Sequence, residues 1–169
     1  FAGRITPTKG VAEAIDVAKA TKKTLLIAGP LLDADRAYFN EYVRPHLDDQ
    51  ILFLGMLAKD QLIKYYQRAQ ALLVPISWDE PFGLTMAEAN ACGTPVIAFR
   101  RGSVPEVIVD SYNGFVVTNT AEMIMAVKQL HTIKRMNCRA HVQKNFTIEK
   151  MCKGYEKAFQ SLMKPAKTK

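Results

Sequence analysis

Two glutamates, Glu80 and Glu88, frame a turn in the stretch WDEPFGLTMAEANACGTPVIAFRRGSVPE, which runs from Trp78 to Glu106. Between them lie Pro81, Gly83 and a run of good helix formers. A helix starting near Gly83 offers unpaired N–H groups and about half a positive charge at its first turn. Phosphates bind at such a helix start. Gly83 lets a ligand approach the backbone closely, and Thr85 adds a hydroxyl donor. Glu88, further into the helix, is placed to accept hydrogen bonds from sugar hydroxyls, while Glu80 faces a group beyond the phosphates. That order suits a ligand with hydroxyls at both ends and phosphate between, as in a nucleoside diphosphate sugar. The plainer reading is that acids near a helix start only complement its dipole.

A second group of residues lies at the N-terminal end. GRITPTKG puts Arg4 and Lys9 in the loop after the first apolar run. Two cations there are either bare surface charges or a clamp for a diphosphate. The loop is not a P-loop, since GxxxxGK[ST] is missing, and no GxGxxG follows any candidate strand. Asp33-Ala34-Asp35 has the form DxD, a metal-binding pattern of some sugar transferases, but three residues match by chance often. His46, His131 and His141 lack metal-ligand spacing, and Cys92, Cys138 and Cys152 include no CxxC pair. No metal site is expected.

The elements that must position these residues alternate. Candidate strands are Phe1–Gly3, Thr24–Ala28, Ile51–Leu54, Ala71–Val74, Val96–Phe99 and Gly114–Val117. Their nearly unbroken apolar character predicts burial on both faces, as in a parallel sheet. Helical periods fall near Gly10–Lys19, Arg36–Val43, Lys59–Ala69 and Leu84–Ala91, then over Ala121–Leu130, Lys134–Asn145 and Thr147–Met163. The pattern predicts an α/β fold: a Rossmann-like doubly wound parallel sheet of about six strands, with helices on both faces and extra C-terminal helices. Ligands of such sheets bind outside the carboxyl ends of the strands. The loops there are residues 3–9, 29–35, 55–57, 75–83 and 100–106.

Composition sets the outer limits. The chain has 169 residues, enough for one domain with a full core, and 49% are hydrophobic. No apolar run approaches the roughly 20 residues of a membrane span. Neither a signal peptide nor an initiator Met is visible, and Phe1-Ala2-Gly3 has the look of a strand's end, so a domain cut from a longer protein is expected. Net charge is +7, unevenly spread: residues 1–121 hold 12 basic and 13 acidic side chains, residues 122–169 hold 11 and 3. The basic C-terminal stretch is either a solvated helical surface or a face drawn weakly to anionic membranes. Nucleic acid is not expected, because aromatic and basic residues do not interleave.

Together, GRITPTKG, LLIAGP, ILFLGML, ALLVPISWDEPFGLTMAEANACGTPVIAFRRGSVPEVI and NGFVV resemble the C-terminal, donor-binding half of a family 4 retaining glycosyltransferase (glycosyl transferases group 1) of the GT-B fold. The resemblance runs from Gly3 to about Val117. It implies a nucleotide-sugar-binding domain over residues 1–163, a frayed tail over 164–169, and an acceptor-binding N-terminal domain outside this chain. It implies a hexosyltransferase in which Arg4 and Lys9 bind the diphosphate and Glu80 contacts the transferred sugar, these three forming the catalytic set. Phe82, Gly83, Leu84 and Thr85 would hold sugar and phosphate, Glu88 the ribose, and Gly55 and Leu57 the base. The donor would be a UDP-, GDP- or ADP-sugar, with no cofactor and no required metal. The acceptor would be a glycan or a lipid-linked molecule in polysaccharide or glycolipid biosynthesis. The setting would be cytoplasmic, with peripheral contact at the inner membrane face, and the isolated fragment would be inactive. Many members carry two glycines before Pro-Glu where this chain has Arg101-Gly102-Ser103, so the sugar is left open. A two-carboxylate glycosidase would use the glutamates but leave Arg4 and Lys9 idle. A non-catalytic nucleotide-sugar-binding module is the alternative on the same fold.

Overall fold

The computed structural model describes residues 1–163. The tail expected over residues 164–169 lies outside the described residues. After the loop of residues 3–9 the order is α1 (Val11–Thr21), β1 (Leu25–Ala28), a short helix α2 (Arg36–Tyr38) that widens over Phe39–Val43 and ends at Arg44–His46, β2 (Ile51–Gly55), α3 (Lys59–Arg68), β3 (Leu72–Val74), α4 (Leu84–Ala91), β4 (Val96–Phe99), α5 (Val104–Val107), β5 (Gly114–Val117), α6 (Thr120–Gln129), α7 (Arg135–Asn145) and α8 (Ile148–Met163). The alternation predicted from the sequence is therefore present, and every strand pair is parallel. The four-residue helix α5 was not foreseen.

The strand count is five rather than six. Phe1–Gly3 does not form a strand: Ala2 makes one isolated parallel bridge to Ala28. Two backbone bonds hold that bridge, from Ala28 N–H to Phe1 O at 3.0 Å and from Gly3 N–H to Ala28 O at 2.9 Å. No ladder joins this segment to β3, so the strands form two sheets, β1-β2 and β3-β4-β5. A cavity of about 610 Å³ lies between them, bordered by Phe1, Ala2, Leu26, Tyr66, Leu72 and Val127 among others.

Side chains leave each strand alternately on its two faces, and the core divides accordingly. Leu73, Ile97, Phe115 and Val117 join α1 and α6 through Ala14, Ile15 and Met123 on one face. Leu72, Val74, Val96 and Ala98 meet α3, α4 and α5 through Tyr66, Met86, Ala89 and Val107 on the other. This is the doubly wound arrangement. The buried face of α1, with Val11, Ala14, Ile15 and Ala18 at helical spacing, shows why that segment folds as it does. At α6, Asn119 Oδ1 accepts from Glu122 N–H at 2.9 Å, a side-chain cap, and the Glu122 carboxylate accepts from Thr118 N–H at 2.7 Å, which holds the residue before the cap against the helix start. Among the described residues no helix is long and apolar enough to cross a membrane.

Candidate functional site

All strands point their carboxyl ends to one edge, and the loops there are bound to one another. Loop 29–35 meets loop 3–9 through Ile5 N–H to Pro30 O at 3.1 Å. Loop 3–9 meets loop 75–83 through Ser77 N–H to Thr8 O at 3.0 Å. Loop 75–83 meets the turn after β4 through Ser103 N–H to Glu80 O at 2.9 Å. Gly29 N–H donates to Gly55 O at 2.8 Å, adding the end of β2 to the row. Residues far apart in sequence thus line one rim.

Lys9 and Glu80, 71 positions apart, form an ion pair there. The two side chains are only 27% and 15% exposed, so the pair is partly shielded from water. Lys9 Nζ also lies 4.8 Å from the centre of the Trp78 ring, a cation–π contact. Arg4 Nε donates to Asp35 Oδ2 at 2.8 Å. Arg4, Lys9 and Glu80 are therefore brought to one rim.

The backbone at Glu80 is locked from the far side. Gly102 has φ +47° and packs on the Glu80 main chain; a Cβ there would lie 2.4 Å from Glu80 O and 2.5 Å from Glu80 N. Gly102 N–H further donates to Asp79 Oδ1 at 3.2 Å. The turn into α4 needs Gly83 for its backbone, whose φ is +75°; a Cβ would in addition press on the terminal methyl of buried Met86. No side chain caps α4. The N–H groups of Leu84 and Thr85 have no acceptor among the described residues, which leaves donors and the positive end of the helix dipole at the rim.

Glu88 lies one turn further along α4. Spacing by three and four puts Thr85, Glu88 and Leu84 on one side of the helix, opposite buried Met86, Ala89 and Asn90. Glu88 is half-buried, and its carboxylate has no hydrogen bond or ion pair among the described residues. Its charge is felt inward: burial and then Glu88 push up the Tyr66 hydroxyl and the Cys92 thiol. Gly55 bends the chain with φ +68° at the end of β2, and Leu57 is half-buried just beyond it. Phe82 turns away and packs edge-on to Phe146, with ring centres 5.7 Å apart. Leu84 is exposed.

Three participants were missed from the sequence. Trp78 was signalled only by an aromatic two places before Glu80. Gly102 was noted only as a departure in its loop. Asp35 was weighed as half of a metal motif, yet its carboxylate holds Arg4, and Asp33 pairs with Arg36 at 2.7 Å. No group of three or more His, Cys, Asp or Glu side chains gathers in a metal-binding arrangement among the described residues.

Residues 1–147 match the family model described as glycosyl transferases group 1. The chain belongs to this family. It is 30% identical over 95% of its length to an uncharacterised 41.2 kDa protein in the cps region of Klebsiella pneumoniae, covering 45% of that protein. It is 34% identical to the D-inositol 3-phosphate glycosyltransferase of Mycobacteroides abscessus, over 69% of this chain and 27% of that protein. It therefore spans less than half the length of these relatives. Among solved structures, the C-terminal domain of the group 1 family protein LpcC from Francisella tularensis is 29% identical with a TM-score of 0.71, over 86% of this chain and 84% of that one. The fold also matches Anabaena HepE, at TM-score 0.79 and 23% identity over 95% of this chain and 48% of that one. These likenesses place the chain with GT-B glycosyltransferases.

Gly102→Ala is expected to lower the unfolding free energy by about 2 kcal/mol, since a Cβ meets main-chain atoms at a positive φ. Gly154→Ala in exposed α8, where nothing lies within 4 Å, is the control. It should be neutral or stabilising by up to about 1 kcal/mol. Denaturant midpoints separate the two, and equal midpoints would refute the locking role of Gly102.

Proposed function

We propose that this chain is the donor-binding part of a retaining glycosyltransferase, which moves a hexosyl group from a nucleoside diphosphate sugar to an acceptor held outside these residues. The observation that carries the reading is the pairing of Lys9 with Glu80 beside the uncapped start of α4. A cation for phosphate, a carboxylate for sugar and free N–H groups stand together at the carboxyl edge of a parallel sheet, where such folds bind ligands. The reading is supported by HepE, a protein of like fold known in complex with UDP and glucose and in complex with UDP-glucose.

On this reading Arg4, Lys9 and the α4 N-terminus receive the diphosphate. Negative charge grows on the leaving phosphate as the sugar departs through an oxocarbenium-like state, and these groups stabilise it. They supply the countercharge without a divalent metal or cofactor. Glu80 positions the sugar rather than attacking it. Glu88, with no protein partner, accepts from the ribose hydroxyls. The backbone at Phe82, Gly83 and Leu84 and the Thr85 hydroxyl line the sugar and phosphate, and Gly55 and Leu57 border the base. Acceptor binding and turnover require a further domain, so the chain alone binds donor but does not transfer.

The ion pair changes what the two glutamates should do. The sequence alone suggests that Glu80→Gln leaves binding of free nucleotide untouched. Because Glu80 occupies Lys9, the substitution instead releases an ammonium for the diphosphate. Affinity for UDP, GDP or ADP is expected to hold or rise by up to about fivefold, in keeping with the modest worth of such pairs. Glu88→Gln weakens hydrogen bonds worth about 1.5–3 kcal/mol and should cost about tenfold or more. Calorimetry with EDTA present, alongside thermal melts, measures both. A loss in Glu80→Gln as large as in Glu88→Gln would overturn the assignment of one carboxylate to each sugar.

We also infer cytoplasmic action with weak peripheral contact at an anionic membrane. Exposed Met151, Tyr155, Phe159 and Leu162 recur along α8 at helical spacing, interspersed with Lys150, Lys153 and Lys157. Vesicle sedimentation is expected to show more binding to anionic than to neutral lipid, lost at high salt. Equal partitioning would leave only a solvated helix.

A further inference from the structure

The two acids of Asp33-Ala34-Asp35 have opposite environments. Asp33 has a side chain 91% exposed and pairs with Arg36 three residues on, itself 65% exposed. Such a pair contributes little. The Asp35 side chain is 11% exposed and reaches across 31 positions to Arg4. A mostly buried carboxylate must be partnered, and Arg4 is its one side-chain partner among the described residues.

The bond is not needed to hold the loops together. Gly3 N–H to Ala28 O and Ile5 N–H to Pro30 O already bind the main chain of loop 3–9 to the end of β1 and its loop. Gly29 packs so closely on Gly3 that a Cβ would lie 1.8 Å from Gly3 O. What the backbone cannot fix is the direction of a long arginine side chain. Asp35 takes only the Nε–H. Both terminal NH2 groups of Arg4 remain without a partner among the described residues, and they are the groups that meet two phosphate oxygens in a forked contact.

We propose that Asp35 is a positioning residue for the diphosphate site: it holds Arg4 by Nε and presents the rest of the guanidinium to the donor. The proposal rests on the reading of Arg4 as a diphosphate anchor. Its competing effect is electrostatic, since a carboxylate beside Arg4 repels an incoming anion. The two effects predict opposite signs when Asp35 is removed. Fixing a flexible side chain in advance spares its ordering on binding, an effect that corresponds to about three- to tenfold in affinity.

The test is calorimetry of the chain with inorganic pyrophosphate and with UDP, for Asp35→Asn and Asp35→Ala, each with Arg4 present and in an Arg4→Ala background. Asp35→Ala is expected to weaken both ligands about three- to tenfold, and Asp35→Asn less, because its amide oxygen still accepts from Nε. In the Arg4→Ala background neither change should matter, since a residue that acts through Arg4 has nothing left to position. Thermal melts accompany each variant. If Asp35→Ala does not fold, the comparison is made with Asp35→Asn alone, expected to lose about twofold with Arg4 present and nothing without it. Tighter binding on loss of Asp35, or the same loss in both backgrounds, would overturn the positioning role while leaving the donor site standing. Failure of the unsubstituted chain to bind either ligand would overturn the donor reading and this inference with it.

Discussion

Two buried amides decide where helix α4 sits, and α4 carries most of the rim. Asn90 donates to Thr94 O at 2.9 Å and to Asn113 O at 3.1 Å. Asn113 donates to Asn90 Oδ1 at 2.6 Å and to Val107 O at 3.2 Å, and its own oxygen accepts from Val109 N–H at 2.7 Å. Both residues are fully buried. A buried amide left without partners costs about 1–3 kcal/mol, so the network tolerates few other placements. It binds the last turn of α4 to the approaches of β4 and β5. Arg135 completes the frame by donating to Ala69 O, Gln67 O and Thr94 Oγ1. With one end of α4 fixed in this way, the position of Gly83 and of Glu88 follows from the rise of a helix.

The charged groups at the rim are held in balance. Arg4 and Lys9 each have an acid as partner, Asp35 for Arg4 and Glu80 for Lys9. Unpaired charges at a shielded rim would be costly, whereas paired ones can exchange partners when an anionic ligand arrives. The acids differ in setting. Asp35 lies in a short turn and meets Arg4 from the neighbouring loop, while Glu80 sits on a loop whose main chain is held by Gly102 and Ser103.

Much of this was legible in the sequence, because local patterns specify local structure. Apolar runs predicted β1 to β5 within a residue or so, and the helical period placed α4 at Leu84–Ala91, where it is found. The parallel sheet followed from strands apolar on both faces. The rim loops followed from the sheet. What remained hidden depends on partners. Phe1–Gly3 has strand-like residues but only one bridged neighbour, and a strand exists only in a ladder. The Lys9–Glu80 pair joins loops 71 positions apart, which no periodicity reports. Asp35 shows the same limit: the DxD spacing was discounted as a chance match, which left the residue without a role, and only the tertiary fold reveals a guanidinium beside it. Gly102 looked like a gap in a motif until the Glu80 backbone was seen against it.

The main-chain bonds along the rim have a consequence for how that edge tolerates change. Loop 29–35 is tied to loop 3–9, loop 3–9 to loop 75–83, and loop 75–83 to the turn after β4. Loops tied in series share their displacements, so a shift in one moves the donors and acceptors of the next. Surface loops elsewhere accept extra length at small cost, but an insertion in any loop of this row disturbs the others. A ligand that grips two of these loops stiffens the whole row, and by mass action it adds to the stability of the folded chain.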